Sequence, residues 1–222
     1  VTLAAVAPML RRRFAPLGRL AAQAAFDLGG DVAVLDDPDD AAQSLLDNPT
    51  VYASRYGETS RCLDLLAEQA RGAPLSPTAF GLSVHNAIGA MIALTRGDRR
   101  NSTAIAAGRA TAAAGVAEAV ALLEDGAHCA SLIVYDAPLR ADYAHFADEP
   151  SAHFAWAWRV RRPRAGERAL QLAWRAASGD AADAGAAAGL PASLQALWFG
   201  LSDAPALVQR VDGRECVWSR DA

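Results

Sequence analysis

The sequence predicts an α/β domain built on a mixed sheet, and three observations carry that prediction. Segments with apolar residues at helical spacing alternate with short β-branched runs. Residues 131–135 (S-L-I-V-Y) form a nearly continuous apolar strand of the kind buried on both faces of a sheet. Near the C-terminus, two extended runs flank Asp212-Gly213, a dipeptide suited to the tight turn of a hairpin.

Taken in order, the chain first shows an amphipathic segment over 12–28, with Phe14, Leu17, Leu20, Ala24 and Leu28 at helical spacing and Gly29-Gly30 as its stop. The acidic cluster Asp36, Asp37, Asp39 and Asp40 around Pro38 reads as a solvated loop leading into a short helix that ends at Asn48-Pro49. Residues 50–54 (T-V-Y-A-S) predict a strand, and residues 58–70 a helix. After Ser76-Pro77 a helix is expected from about Ser83, followed by the charged turn 96–101 (R-G-D-R-R-N) and a short strand over 102–106. Residues 108–124 predict an Ala-rich helix with little side-chain bulk, suited to a buried layer that neighbours approach closely from several sides. Beyond the polar loop 136–151, the alternating runs 153–161 and 168–175 predict an antiparallel hairpin across a turn at 163–166. The Ala/Gly-rich stretch 176–190 is expected to be a mobile loop, and 191–201 a helix.

Composition narrows the function. The 222 residues are 52% hydrophobic and 21% charged, enough for a folded core in one domain spanning 1–222. A net charge of −4 opposes nucleic-acid binding, although all 21 basic residues are Arg. No apolar run reaches the roughly 18 residues that a membrane helix requires, so no membrane insertion is expected. The three cysteines, Cys62, Cys129 and Cys216, form no disulfide framework or C-x-x-C pair, and they predict reduced thiols in a cytoplasmic protein.

Chemical motifs are weak. Asp142, His145, Asp148, Glu149 and His153 lie close in sequence but lack the i, i+4 histidine spacing of a helical zinc site, so no metal is expected. Gly81-Leu82-Ser83-Val84-His85 only approaches the G-x-S-x-G nucleophile elbow, with His in place of the second glycine. No phosphate-cradling or dinucleotide pattern is present, and no cofactor is expected.

The stretch 76–138 contains S-P-T-A-F-G-L-S-V-H-N-A-I-G-A, then R-G-D-R-R-N-S-T-A-I-A-A-G, then a helix and S-L-I-V-Y. In that order it resembles the N-terminal half of a β-ketoacyl synthase of the thiolase fold. It is similar in particular to the small ketosynthase-like proteins of bacterial aryl polyene or xanthomonadin-type pigment pathways. The resemblance extends to Arg11-Arg12-Arg13 and to V-Y-A-S-R-Y-G-E over 51–58. It implies a thiolase-like half-domain: a mainly parallel mixed sheet covered by helices, with an antiparallel hairpin region at the C-terminus.

The resemblance also implies an active-site elbow, where ketosynthases carry a cysteine thiolate activated at a helix N-terminus. Ser102-Thr103-Ala104-Ile105 matches that elbow, and Ile105 occupies the nucleophile position. Isoleucine cannot hold a thioester. The glycine-rich histidine motifs of a second half are not found, and either the first strand is trimmed or residues 1–6 supply it in shortened form.

The implied role is a non-catalytic subunit like a chain length factor, paired with a full-length ketosynthase and, through it, with an acyl carrier protein. Asn101, Ser102, Thr103 and Ile105 would then lie at the subunit interface, while Phe80, Leu82, Ser83, His85 and Asn86 would shape the partner's acyl tunnel. Two alternatives stand beside it. One is a stand-alone acyl-transferring or hydrolytic enzyme using Ser83 and His85; the other is a structural homodimer. His85 also has a plainer reading, as a core histidine bonded to a neighbouring carbonyl.

Overall fold

The computed structural model describes residues 3, 6–30, 48–177 and 187–221. The acidic loop, the short helix expected before Asn48 and residues 178–186 of the Ala/Gly-rich stretch lie outside the described residues, as do four of the six residues proposed as a shortened first strand.

Four strands form the main sheet in the order β2-β1-β3-β4, with β1 at Thr50–Ala53, β2 at Ser102–Ile105, β3 at Cys129–Asp136 and β4 at Phe154–Arg161. The first three are parallel and β4 runs antiparallel to β3. A second, antiparallel sheet has the order β5-β7-β6, formed by β5 (Leu170–Ala176), β6 (Ala206–Val211) and β7 (Arg214–Arg220). Asp212 and Gly213, both at positive φ, make the β6–β7 turn that the sequence predicts.

The helices are α1 (Pro8–Arg11), α2 (Pro16–Gly30), α3 (Thr59–Ala70), α4 (Pro77–Gly81), α5 (Ala87–Arg96), α6 (Thr111–Glu124) and α7 (Ala192–Leu201). One face of the main sheet presents Tyr52, Ile133 and Tyr135 to Phe14, Leu17 and Ala21, from the α1–α2 region, and to Ile88 and Ile92 of α5. The other presents Val51, Ala53, Leu132, Val134 and Trp156 to α6, α7 and the second sheet, whose Leu207, Cys216 and Trp218 enter the same core. Helices thus cover one face of the main sheet, helices together with the second sheet cover the other, and strand alternation supplies both cores.

Small residues set the spacing between layers. A Cβ on Gly89 would fall 2.6 Å from the Tyr52 ring, and one on Gly115 would fall 2.7 Å from Leu132 Cδ1 and 3.1 Å from Ala53 Cβ. The sheet thus touches α5 on one face and α6 on the other at distances only glycine allows.

Four expectations need correction. The hairpin of 153–161 with 168–175 does not form: β4 pairs with β3, and β5 with β7, in different sheets. Alternation predicts both strands but carries no information about partners. The first long helix begins at Pro16 rather than near Arg12, because proline suits the first helical turn and resists a position within the helix. The helix expected from Ser83 begins only at Ala87, as α5; Ser83 lies in the turn that follows the separate short helix α4, whose N-cap Ser76 side chain accepts the Ala79 N–H. Finally, α6 is not enclosed on all sides: Ala112, Ala113, Gly115 and Ala119 are buried, but Val120 is 43% exposed.

Candidate functional site: the elbow after β2

β2 is an edge strand with one free side. The Thr50 N–H donates to the Asn101 carbonyl and the Ser54 N–H to the Ile105 carbonyl, each at 3.0 Å. Because backbone groups alternate along a strand, Asn101, Thr103 and Ile105 face β1, while Ser102 and Ala104 turn their N–H and C=O groups outward. Parallel strands are ordinarily covered, yet Ser102 is exposed and the other three residues of β2 are half-buried.

Beyond β2 the chain turns sharply through Gly108, at φ +54°, into α6. Buried Thr111 holds this turn: its hydroxyl donates to the Gly108 carbonyl at 2.7 Å and accepts the Ala107 N–H at 3.1 Å. A strand, a tight turn and a helix N-terminus together form the elbow, with Ile105 at its corner. Its side chain packs against the core of α6 and sheet residues and offers no nucleophilic atom.

His85 reaches this corner from the α4–α5 turn. Its Nε2 lies 3.2 Å from the Ile105 carbonyl oxygen, so Nε2 carries the hydrogen and donates. The ring's other side is closed by Gly57 at φ +54°, where a Cβ would fall 2.9 Å from Nδ1. Ser83 points elsewhere, donating to the Phe80 carbonyl at 2.8 Å. The structure therefore joins His85 to Ile105 and does not join it to Ser83. Leu82 packs against the α2–α5 core, Asn86 and Asn101 are exposed, and Phe80 is 61% exposed beside the exposed Val84.

Sequence reasoning did not single out Asp136, at the end of β3. Its buried carboxylate accepts the Ser54 hydroxyl at 3.0 Å, the Arg55 N–H at 2.9 Å and the Tyr56 N–H at 3.0 Å. Ser54 Oγ in turn accepts the Gly57 N–H at 2.8 Å. Burial pushes the Asp136 carboxyl up, against the pull of these donors. The result fixes the loop that closes around His85, and V-Y-A-S-R-Y-G-E was the sequence signal for its first half. Arg55 continues the network to Asp148 at 2.6 Å and Glu149 at 3.0 Å, and Glu149 accepts the Ala192 N–H at the start of α7. Two of the acidic residues weighed as metal ligands are thus engaged by an arginine, and the described residues contain no cluster able to hold a metal ion.

Helices on both faces of a mainly parallel sheet, with a strand-to-helix elbow at the carboxyl end, define a thiolase-type half-domain. The chain belongs to the β-ketoacyl synthase family: the model of the β-ketoacyl synthase N-terminal domain matches residues 1–219. Among solved structures, it is similar to a chain of a ketosynthase (ApeO) in complex with its chain length factor (ApeC) from Xenorhabdus doucetiae. That match has a TM-score of 0.74 at 25% identity and covers 96% of this chain and 82% of the other. It also resembles a chain of the ishigamide ketosynthase/chain length factor, with a TM-score of 0.63 at 16% identity and the same coverage, a likeness of fold alone. No curated protein matches the chain. No helix among the described residues is long and apolar enough to cross a membrane.

Proposed function

We propose that this protein is a non-catalytic ketosynthase-like subunit, a chain-length-factor-like partner of an active β-ketoacyl synthase. The observation that carries the reading is Ile105: a complete elbow, with its turn, helix and histidine in place, surrounds a side chain that can neither attack nor hold a thioester. The open edge of β2 supports pairing through the outward groups of Ser102 and Ala104. Phe80 near the end of α4 and Leu82, Ser83, His85 and Asn86 in the turn that follows would shape the distal end of the partner's acyl tunnel. Likeness to the Xenorhabdus doucetiae complex supports a ketosynthase partner. The finer parts of the proposal, a role in aryl polyene-type synthesis and an acyl carrier protein engaged through the partner, rest on the sequence resemblance.

The test is size measurement of the chain alone and after mixing with the full-length ketosynthase of its pathway, followed by an assay of chain elongation. A one-to-one complex that elongates, with the isolated subunit silent on acyl thioesters, is expected. A tight homodimer that ignores the ketosynthase overturns the reading in favour of the structural homodimer.

A further inference from the structure

The separation of β4 from β5 leaves a wedge between the two sheets, at the end of the main sheet opposite the elbow. Register fixes that placement: Arg161 lies across from Cys129, where β3 begins, whereas Asp136 at the elbow end lies across from Phe154. The wedge is a groove of about 540 Å³, within the range of small-molecule sites. Its walls are Val116 and Val120 of α6, Trp158 and Val160 of β4, Leu172 of β5 and Trp218 of β7.

The groove is held open by rigid parts. Trp158 packs against Trp156 with ring centroids 4.6 Å apart and meets Trp218 edge-on at 6.5 Å. Behind it, a Cβ on Gly200 would fall 2.6 Å from the Trp158 ring, so the indole is seated directly against the α7 backbone. The slender α6 leaves the other wall low.

Charge at the mouth selects the occupant. Arg161 makes two hydrogen bonds to Glu167, at 2.7 and 2.8 Å, and Arg162 is engaged by Glu124 at 3.2 Å and the Leu123 carbonyl at 2.9 Å. Arg168, also at the groove, is exposed and has no partner among the described residues. Arg159, which also lines the groove, commits its guanidinium to the Leu28 carbonyl at 3.1 Å, so Arg168 is the exposed cation left beside the apolar floor, and it matches an amphiphile with a negatively charged head.

We propose that this groove binds a single unesterified aliphatic carboxylate, its chain along Trp158, Val120 and Leu172 and its head group at Arg168. The site lies at the opposite end of the main sheet from the elbow.

The full chain is titrated with dodecanoate, below its micelle-forming concentration, and with dodecyltrimethylammonium, following tryptophan fluorescence. Saturable one-site binding of dodecanoate is expected, with the ammonium about tenfold weaker or more. Arg168→Glu removes that preference, and Val120→Trp, which fills the groove from an exposed position, weakens dodecanoate by about tenfold or more. The proposal is overturned by the absence of saturable dodecanoate binding, by equal binding of the two amphiphiles, or by unchanged binding in a folded Val120→Trp variant. If Val120→Trp does not fold, Arg168→Glu decides: unchanged discrimination overturns the proposal. Failure to bind a ketosynthase leaves this site untouched, so the two readings fail separately.

Discussion

His85 Nε2 and the Ser54 N–H converge on one atom, the carbonyl oxygen of Ile105, at 3.2 and 3.0 Å. The corner of the elbow is thus pinned from the sheet and from the α4–α5 turn. Two substitutions separate shape from chemistry there. Ile105→Ser should leave chain elongation by the complex largely intact, since no covalent step passes through this residue. His85→Ala should lower unfolding free energy by about 1 kcal/mol, the size of one lost hydrogen bond. Elongation assays and urea titrations check the pair, and abolished activity in a folded, complexed Ile105→Ser protein would refute the non-catalytic role.

The alternation of β2 predicts opposite effects for adjacent prolines. Ala104→Pro removes an outward N–H and should leave the isolated fold in place while weakening the ketosynthase complex by about a hundredfold. Thr103→Pro removes an N–H that faces β1 and should destabilise the sheet itself. Circular dichroism and binding titrations distinguish them. Equal affinity for Ala104→Pro and the natural protein would mean that β2 does not pair across the interface.

Phe80→Ala takes a mostly exposed ring off the surface, so stability should move by no more than about 0.5 kcal/mol. Product lengths made by the complex should shift nonetheless. An unchanged length profile, read by mass spectrometry, removes this segment from the tunnel.

Gly115→Ala would drive a methyl group into Leu132 and Ala53 at distances no relaxed core accepts. It should cost about 1–3 kcal/mol in thermal or denaturant unfolding. Gly72→Ala, whose Cβ meets nothing within 4 Å, serves as a control for backbone strain alone, since φ there is +68°.

Ahead of β2, Asp98 accepts from Arg100 Nε at 2.7 Å and from the Arg100 N–H at 3.0 Å. Arg100 holds the carboxyl below the usual carboxylate range. A depressed folded pKa means that the ion contributes stability above the unfolded value near 4 and loses it as pH falls through the folded value. Asp98→Asn should therefore be less stable by about 1 kcal/mol at neutral pH and should converge with the natural protein in strong acid. Stability measured from pH 7 to pH 2 gives the comparison.

Much of the fold was legible because its signals are local. Residues 131–135 announced a strand buried on both faces, Asp212-Gly213 a turn, and 191–201 a helix, and each is present. Pairing was not legible, since β4 and β5 alternate alike. What separates them is burial: Trp156 enters the core, whereas Leu170 and Trp174 stay exposed at the edge of the second sheet. At the site, S-T-A-I marked the elbow, but the edge position of β2 is a property of strand order. The bond from His85 matches the plainer of its two readings, and Asp136 drew no notice because an aspartate ending a strand resembles any loop residue. Its three donors come from residues about 80 positions away in sequence.

The division into two sheets also imposes an order on the chain as it is made. The main sheet is complete in strands once residue 161 has emerged, while the second draws only on residues from 170 onward. Synthesis from the N-terminus thus presents a finished platform before the element that caps it exists. The contact of Trp158 with Trp218 joins the two sheets, and it cannot form until residue 218 has been made.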